Sequence, residues 1–137
     1  MVPDQGIVEF ISNSKPPLEI FNWINNHNNV YNINMAIIED VHSLYGMSAK
    51  SNFSFGFNTG LITGIIQSTG IGLDKVAPKK WQKEIGVKTK GKEIKAEVGQ
   101  IATRLYPKVQ LFTPRGRLED GKSDSLMIAH YCYLTYK

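Results

Sequence analysis

The stretch INMAIIEDV, residues 33–41, constrains the fold of this chain more than any other. Met35, Ala36, Ile37, Ile38 and Val41 are apolar, and neither proline nor glycine occurs between residues 31 and 45, so a buried strand is expected there. Strand and helix patterns alternate along the rest of the chain, which predicts an α/β layer structure, a sheet flanked by helices. Inside the strand sits Glu39. An unpaired ionised carboxylate in apolar surroundings is costly enough to be neutralised, paired or bound to a metal. Glu39 therefore either meets a distant lysine or holds a cation.

The flanking segments fill in the layers. Residues 6–12 (GIVEFIS) have the pattern of a strand, and residues 16–28 that of a helix, with Pro16 and Pro17 tolerated in its first turn. A long helix is expected over residues 48–68, although Gly56, Gly60 and Gly64 each cost about 1 kcal/mol there relative to alanine. Spaced by four, they make one smooth stripe, suited to close packing inside the fold or against a partner's helix. Asn58, Thr59, Thr63 and Gln67 interrupt the apolar run and exclude a membrane-dimer motif. Residues 72–78 are expected to be a short strand, 79–86 a short helix closed by Gly86, and 91–107 a helix stopped by Pro107. That last helix has Ile94, Val98, Ile101 and Leu105 on one face. A polar loop, residues 113–122, leads to a final helix over residues 123–137. No repeat or low-complexity tract appears, and 137 residues suit a single domain, 1–137.

Composition narrows the function. Cys132 is the only cysteine, which excludes an internal disulfide and a cysteine-based zinc site. Without a signal-peptide pattern or a run of 18 apolar residues, no membrane association and an intracellular, cytoplasmic location are expected. Net charge is only +4, yet eight lysines against Glu84 and Glu93 concentrate +6 between residues 75 and 95. Such a block is a solvated surface or a footprint for polyanions. Lys79, Lys80 and Lys83 flank Trp81, which either packs in the core or stacks on a base. Lys88, Lys90 and Lys92 follow, and Arg115 and Arg117 precede the last helix. Together they would hold phosphates without reading sequence.

In the last helix Asp124 shares a face with Met127, Ile128, Tyr131, Leu134 and Thr135, and so points toward the core side. Asp120, four residues earlier, projects the same way if that turn is helical. Each acid alone fits a helix N-terminus, where it caps amides and meets the macrodipole. With Glu39 and the basic block, the three also fit a divalent-cation site that hydrolyses phosphodiesters.

Four stretches taken together, AIIEDVHS (36–43), SNFSFGFNTGLITGII (51–66), VAPKKWQKEIG (76–86) and EDGKSDSLMIAHY (119–131), resemble in order and spacing the RuvC-like Holliday junction resolvases. These are crossover junction endodeoxyribonucleases, and the resemblance is to their phage and viral branch within the RNase H-like superfamily. It implies an RNase H-like mixed sheet flanked by helices. It also implies a Mg²⁺- or Mn²⁺-dependent endonuclease acting as a homodimer on branched DNA, the four-way junction, in DNA recombination and repair or phage genome processing. Glu39 resembles the acid that ends the fourth strand, and Asp120 and Asp124 the pair that opens the last helix; all three would be catalytic and metal-binding. The departure is at the N-terminus, where the family's first strand ends in Asp-x-Gly. Here Asp4-Gln5-Gly6 has those letters, but Pro3 precedes it and cannot donate a ladder hydrogen bond. Other registers align GIV with the second strand or MVP with the third, so the first strand and its acid are expected to lie outside this chain. A catalytically impaired DNA-binding or dimerisation module is the alternative. His42 has a positioning or a structural role, His130 is not expected to be a ligand, and Phe53, Phe55 and Phe57 belong to the core or a dimer interface.

Overall fold

A computed structural model describes residues 8–41 and 46–136 of the chain. The described residues form α1 (Pro17–Tyr31), β1 (Met35–Glu39), α2 (Ala49–Ser68), β2 (Gly72–Val76), α3 (Pro78–Ile85), α4 (Ile94–Leu105) and α5 (Asp120–Tyr136). One 3-10 turn, Gly91–Glu93, precedes α4. The architecture is α/β as expected, and two strands, β1 beside β2, make the sheet among the described residues. The chain divides into two compact units: Ile11–Lys75, and Met1–Phe10 with Val76–Lys137.

In the Ile11–Lys75 unit, Pro17 takes a first-turn position of α1, where its missing N–H costs nothing. The helix runs past Asn28 to Tyr31 and stops at Asn32, which is left-handed (φ 53°) and donates to the Asn28 carbonyl at 2.8 Å. The Asn28 side chain accepts from the Ile33 amide at 2.9 Å, so this residue closes the helix from within. Ser48 caps α2 by accepting from the Ser51 amide at 3.1 Å. α2 connects β1 to β2 and packs on α1. Ile20, Ile66 and Ile71 are buried here.

The glycine stripe of α2 departs from the expectation of packing inside the fold. A Cβ at Gly56, Gly60 or Gly64 would meet nothing within 4 Å. The stripe instead lines an open cavity of about 430 Å³ with Asn52, Thr59, Thr63 and Lys75. Phe53 and Phe57, at 75% and 62% exposure, stack on each other and are not core residues.

In the other unit α3 and α4 both pack on α5. Trp81, Val98, Ala102, Leu111 and Met127 are almost wholly buried. Val98 and Ile101 hold the core face of α4 as their spacing predicts, whereas Leu105 ends the helix half exposed. Gly99 is the glycine that close packing requires: a Cβ there would come within 2.6 Å of Leu118 Cδ2. The polar loop is a small hairpin. Phe112 bridges Leu118, the Thr113 amide donates to the Arg117 carbonyl at 2.8 Å, and Gly116 turns the chain at φ 86°.

The expected strand over residues 6–12 is not present in its described part, residues 8–12. Val8 and Phe10 spend their apolar surface on a cavity shared with Tyr106, Leu126 and Ala129, and the Lys122 ammonium lies 5.6 Å from the Phe10 ring. Packing on a helix satisfies the same alternating pattern that a ladder would.

Candidate functional site

The last helix starts at Asp120, three residues before its expected first residue. Leaving the hairpin, the Glu119 amide donates to the Leu111 carbonyl at 2.8 Å. The Glu119 carbonyl then accepts from Lys122 at 2.9 Å and from Ser123 at 3.2 Å. Ser123 is fully buried, and its hydroxyl donates to the Asp120 carbonyl at 3.1 Å. These bonds make the turn helical, so Asp120 and Asp124 stand one turn apart on the same side. Ser123, Leu126, Met127 and Tyr131 occupy the buried face, and both acids flank it, half-buried. Asp124 therefore sits at the margin of the core rather than pointing into it.

Asp120 accepts a charge-assisted hydrogen bond from Lys95. That bond holds its carboxyl below the usual carboxylate range, with help from the amides of Asp120 and Gly121 and against partial desolvation. Lys95 opens α4 one turn before Val98 and Gly99, on the stripe that faces α5. Sequence reasoning counted Lys95 only as charge and missed it as a partner, although its i+3 and i+4 relation to the apolar stripe was there to be read. Both side chains are substantially exposed, so the pair fixes geometry more than it adds stability.

Glu39 is the last residue of β1, half-buried, in the Ile11–Lys75 unit. Among the described residues no three side chains of the His, Cys, Asp and Glu types converge on a point where an ion could bind. Asp120 and Asp124 offer the hard oxygens that Mg²⁺ or Mn²⁺ take. As placed, however, Asp120 is engaged by an ammonium group, and among the described residues no third ligand joins the pair, so the described residues alone do not make a metal cage. Asp4 and His42 lie outside the described residues.

The candidate phosphate-binding residues Lys79, Lys80, Lys83, Lys88, Lys90, Lys92, Arg115 and Arg117 all belong to the unit that contains α5. Lys79, Lys80 and Lys83 are exposed on α3 around Trp81, whose complete burial rules out stacking on a base. Gly86, left-handed at φ 100°, ends α3 while the Val87 amide reaches back to the Gln82 carbonyl at 3.0 Å. Lys88, Lys90 and Lys92 follow, all exposed, and Arg115 and Arg117 are exposed at the hairpin tip. Lys79, Lys80, Lys83, Lys90, Lys92, Arg115 and Arg117 form no ion pair with a described carboxylate. His130 lies farther along α5, with Nδ1 2.8 Å from the Tyr106 hydroxyl, and burial pushes its pKa down.

No protein-family model matches the chain, and no curated protein matches it. Among solved structures the chain is similar to RuvC of Thermus thermophilus in complex with a Holliday junction substrate. The TM-score is 0.59 at 13% identity, over 91% of this chain and 72% of that one. It is also similar to a Thermus thermophilus RuvC structure, with TM-score 0.55 and 14% identity over 94% of this chain and 77% of that one. The chain has a RuvC-like fold.

Proposed function

We propose that this chain is a RuvC-like nuclease domain that grips branched DNA, a four-way junction, and hydrolyses its phosphodiester bonds with Mg²⁺ or Mn²⁺. The observation that carries this reading is a RuvC-like fold whose last helix opens on Asp120 and Asp124 within the unit that holds the exposed lysines of residues 79–92 and Arg115 and Arg117. The lysines are point charges for backbone phosphates, and Arg115 and Arg117 offer planar forks for them. Asp120 and Asp124 put negative charge in the same unit, and Lys95 offsets it at Asp120. Glu39, by its place at a strand end, is proposed as a further acid and is tested separately. Asp120 and Asp124 would supply hard carboxylate oxygens to the Mg²⁺ or Mn²⁺ ion, which would have to displace Lys95 from Asp120.

The Asp-Gly-x-x-Asp form at residues 120–124 supports the phage and viral branch, with a role in recombination, repair or phage genome processing. Homodimerisation belongs to the same reading, with the open stripe of α2 and exposed Phe53 and Phe57 as the surface offered to a second copy.

A second reading, a DNA-binding module without cleavage, is favoured by the Lys95–Asp120 pair and by the lack of a third converging carboxylate among the described residues. One experiment separates the two. Purified chain is mixed with a labelled four-way junction and Mg²⁺ or Mn²⁺. The nuclease reading predicts binding and cleavage, with cleavage but not binding lost in Asp124→Asn. A junction bound and left uncut under both ions establishes the binding module, and a junction left unbound sinks both readings. Glu39→Gln protein that cuts as fast as the parent removes Glu39 from the site.

A further inference from the structure

The segment between α3 and α4 carries Lys88, Lys90 and Lys92, and three anchors hold it. At its start is the glycine closure at Gly86. At its end is Gly91, left-handed at φ 65°, which opens the 3-10 turn. Between them the Glu97 carboxylate, reaching back from the first turn of α4, collects the loop's donors. It accepts from the Lys88 amide at 2.9 and 3.0 Å, from the Thr89 amide at 2.8 Å and from the Thr89 hydroxyl at 2.7 Å. A single side chain thus satisfies two backbone N–H groups and a hydroxyl that would otherwise face solvent. The same bonds, Thr89 first, hold the Glu97 carboxyl below its usual range.

By charge alone, Glu97 is misplaced. A carboxylate inside a lysine block weakens the attraction for any polyanion, and removing it would be expected to tighten binding. Its hydrogen bonds give it the opposite role. We infer that Glu97 is a positioning residue that fixes the Lys88–Lys90–Lys92 segment for phosphate binding, so that its removal loosens polyanion binding although it raises the net positive charge. This rests on the DNA-binding reading above. The physical reason is preorganisation: lysines on a fixed backbone lose less freedom on meeting a phosphate chain than lysines on a loose one.

The test compares Glu97→Ala with Glu84→Gln, which removes one negative charge from exposed α3 without touching the loop. Affinity for a four-way junction is measured across a salt series, and backbone amide exchange is followed at Lys88, Thr89 and, as a folding control, Met127. The expected result is a roughly three- to tenfold loss of affinity for Glu97→Ala. Affinity is unchanged or higher for Glu84→Gln, and faster exchange in the Glu97 variant is confined to Lys88 and Thr89. Thr89→Val, which removes only the hydroxyl donor, loosens binding in the same direction and by less; Glu97→Gln, which keeps one acceptor oxygen, recovers part of the loss. Glu97→Ala protein that binds as tightly as Glu84→Gln overturns the inference, as does unchanged exchange at Lys88 and Thr89. Parent protein that binds no junction at any salt, with Lys88 and Thr89 protected, fails the DNA-binding reading instead and takes the inference with it.

Discussion

Lys95 and Asp120 meet because one precedes the core stripe of α4 and the other opens the helix on which that stripe packs. The Asp120 carboxyl is held below its ordinary value of 3.8 in the folded chain. Its contribution to stability is therefore fully present above that value and lost as pH falls through the folded one. Lys95→Met is predicted to return the Asp120 titration, followed by carboxyl NMR, toward 3.8 while lowering stability by less than about 1 kcal/mol, as for other exposed pairs. An unmoved titration would show that the pair does not form. His130 has the opposite chemistry. Burial favours its neutral form, so the unfolded chain takes up the proton first as pH drops below 6.5. Stability is predicted to fall as pH decreases below 6.5, and His130→Gln to flatten that dependence in denaturant titrations at several pH values. At this scale the sequence showed which residues carry charge and which acids share a helix side. The Lys95 partnership could be read from helix spacing, but the hold of Glu97 on Thr89 could not. It depends on the path of a loop whose course is set by glycines at two left-handed positions.

Among the elements, glycine has two different uses. Gly60 faces open space within α2, and Gly99 faces Leu118 across a gap that leaves no room for a Cβ. Gly60→Ala is predicted to stabilise the chain by roughly 0.5–1 kcal/mol, the helix-propensity gain. Gly99→Val is predicted to destabilise it by roughly 1–3 kcal/mol, through overpacking against Leu118. Thermal unfolding of the two variants would show opposite shifts; equal shifts would mean that the stripe and the packing glycine are wrongly distinguished. Periodicity located α2, α3 and α4 well because each has a glycine, proline or serine boundary and a continuous pattern. It placed the start of α5 too late, since Asp120-Gly121-Lys122 looks like a turn until the buried Ser123 hydroxyl and the Glu119 carbonyl are seen to close a helical one. It also predicts a strand over residues 6–12 that the described part, residues 8–12, does not form, because alternation alone does not say whether the apolar side chains meet a ladder or a helix.

For the whole molecule, the α/β class follows from the apolar stretch at residues 33–41, which contains the half-buried β1, and the helices after it. The RuvC-like fold was suggested by four short stretches in order and is supported by structural similarity at 13–14% identity. That similarity carries the architecture. Chemistry rests on residues of this chain: exposed basic residues on α3, the following segment and the hairpin, in the unit that also carries the two acids of α5. A surface of that kind predicts junction binding that weakens steeply with salt, with a slope set by the number of phosphates neutralised. The most direct measurement of the central claim is competition for the chain between a labelled four-way junction and unlabelled linear duplex of equal length, without divalent ions and at fixed salt. The account predicts that the junction stays bound under a large excess of duplex. Displacement of the junction by an equal amount of duplex would contradict it, leaving a basic protein that holds any DNA alike.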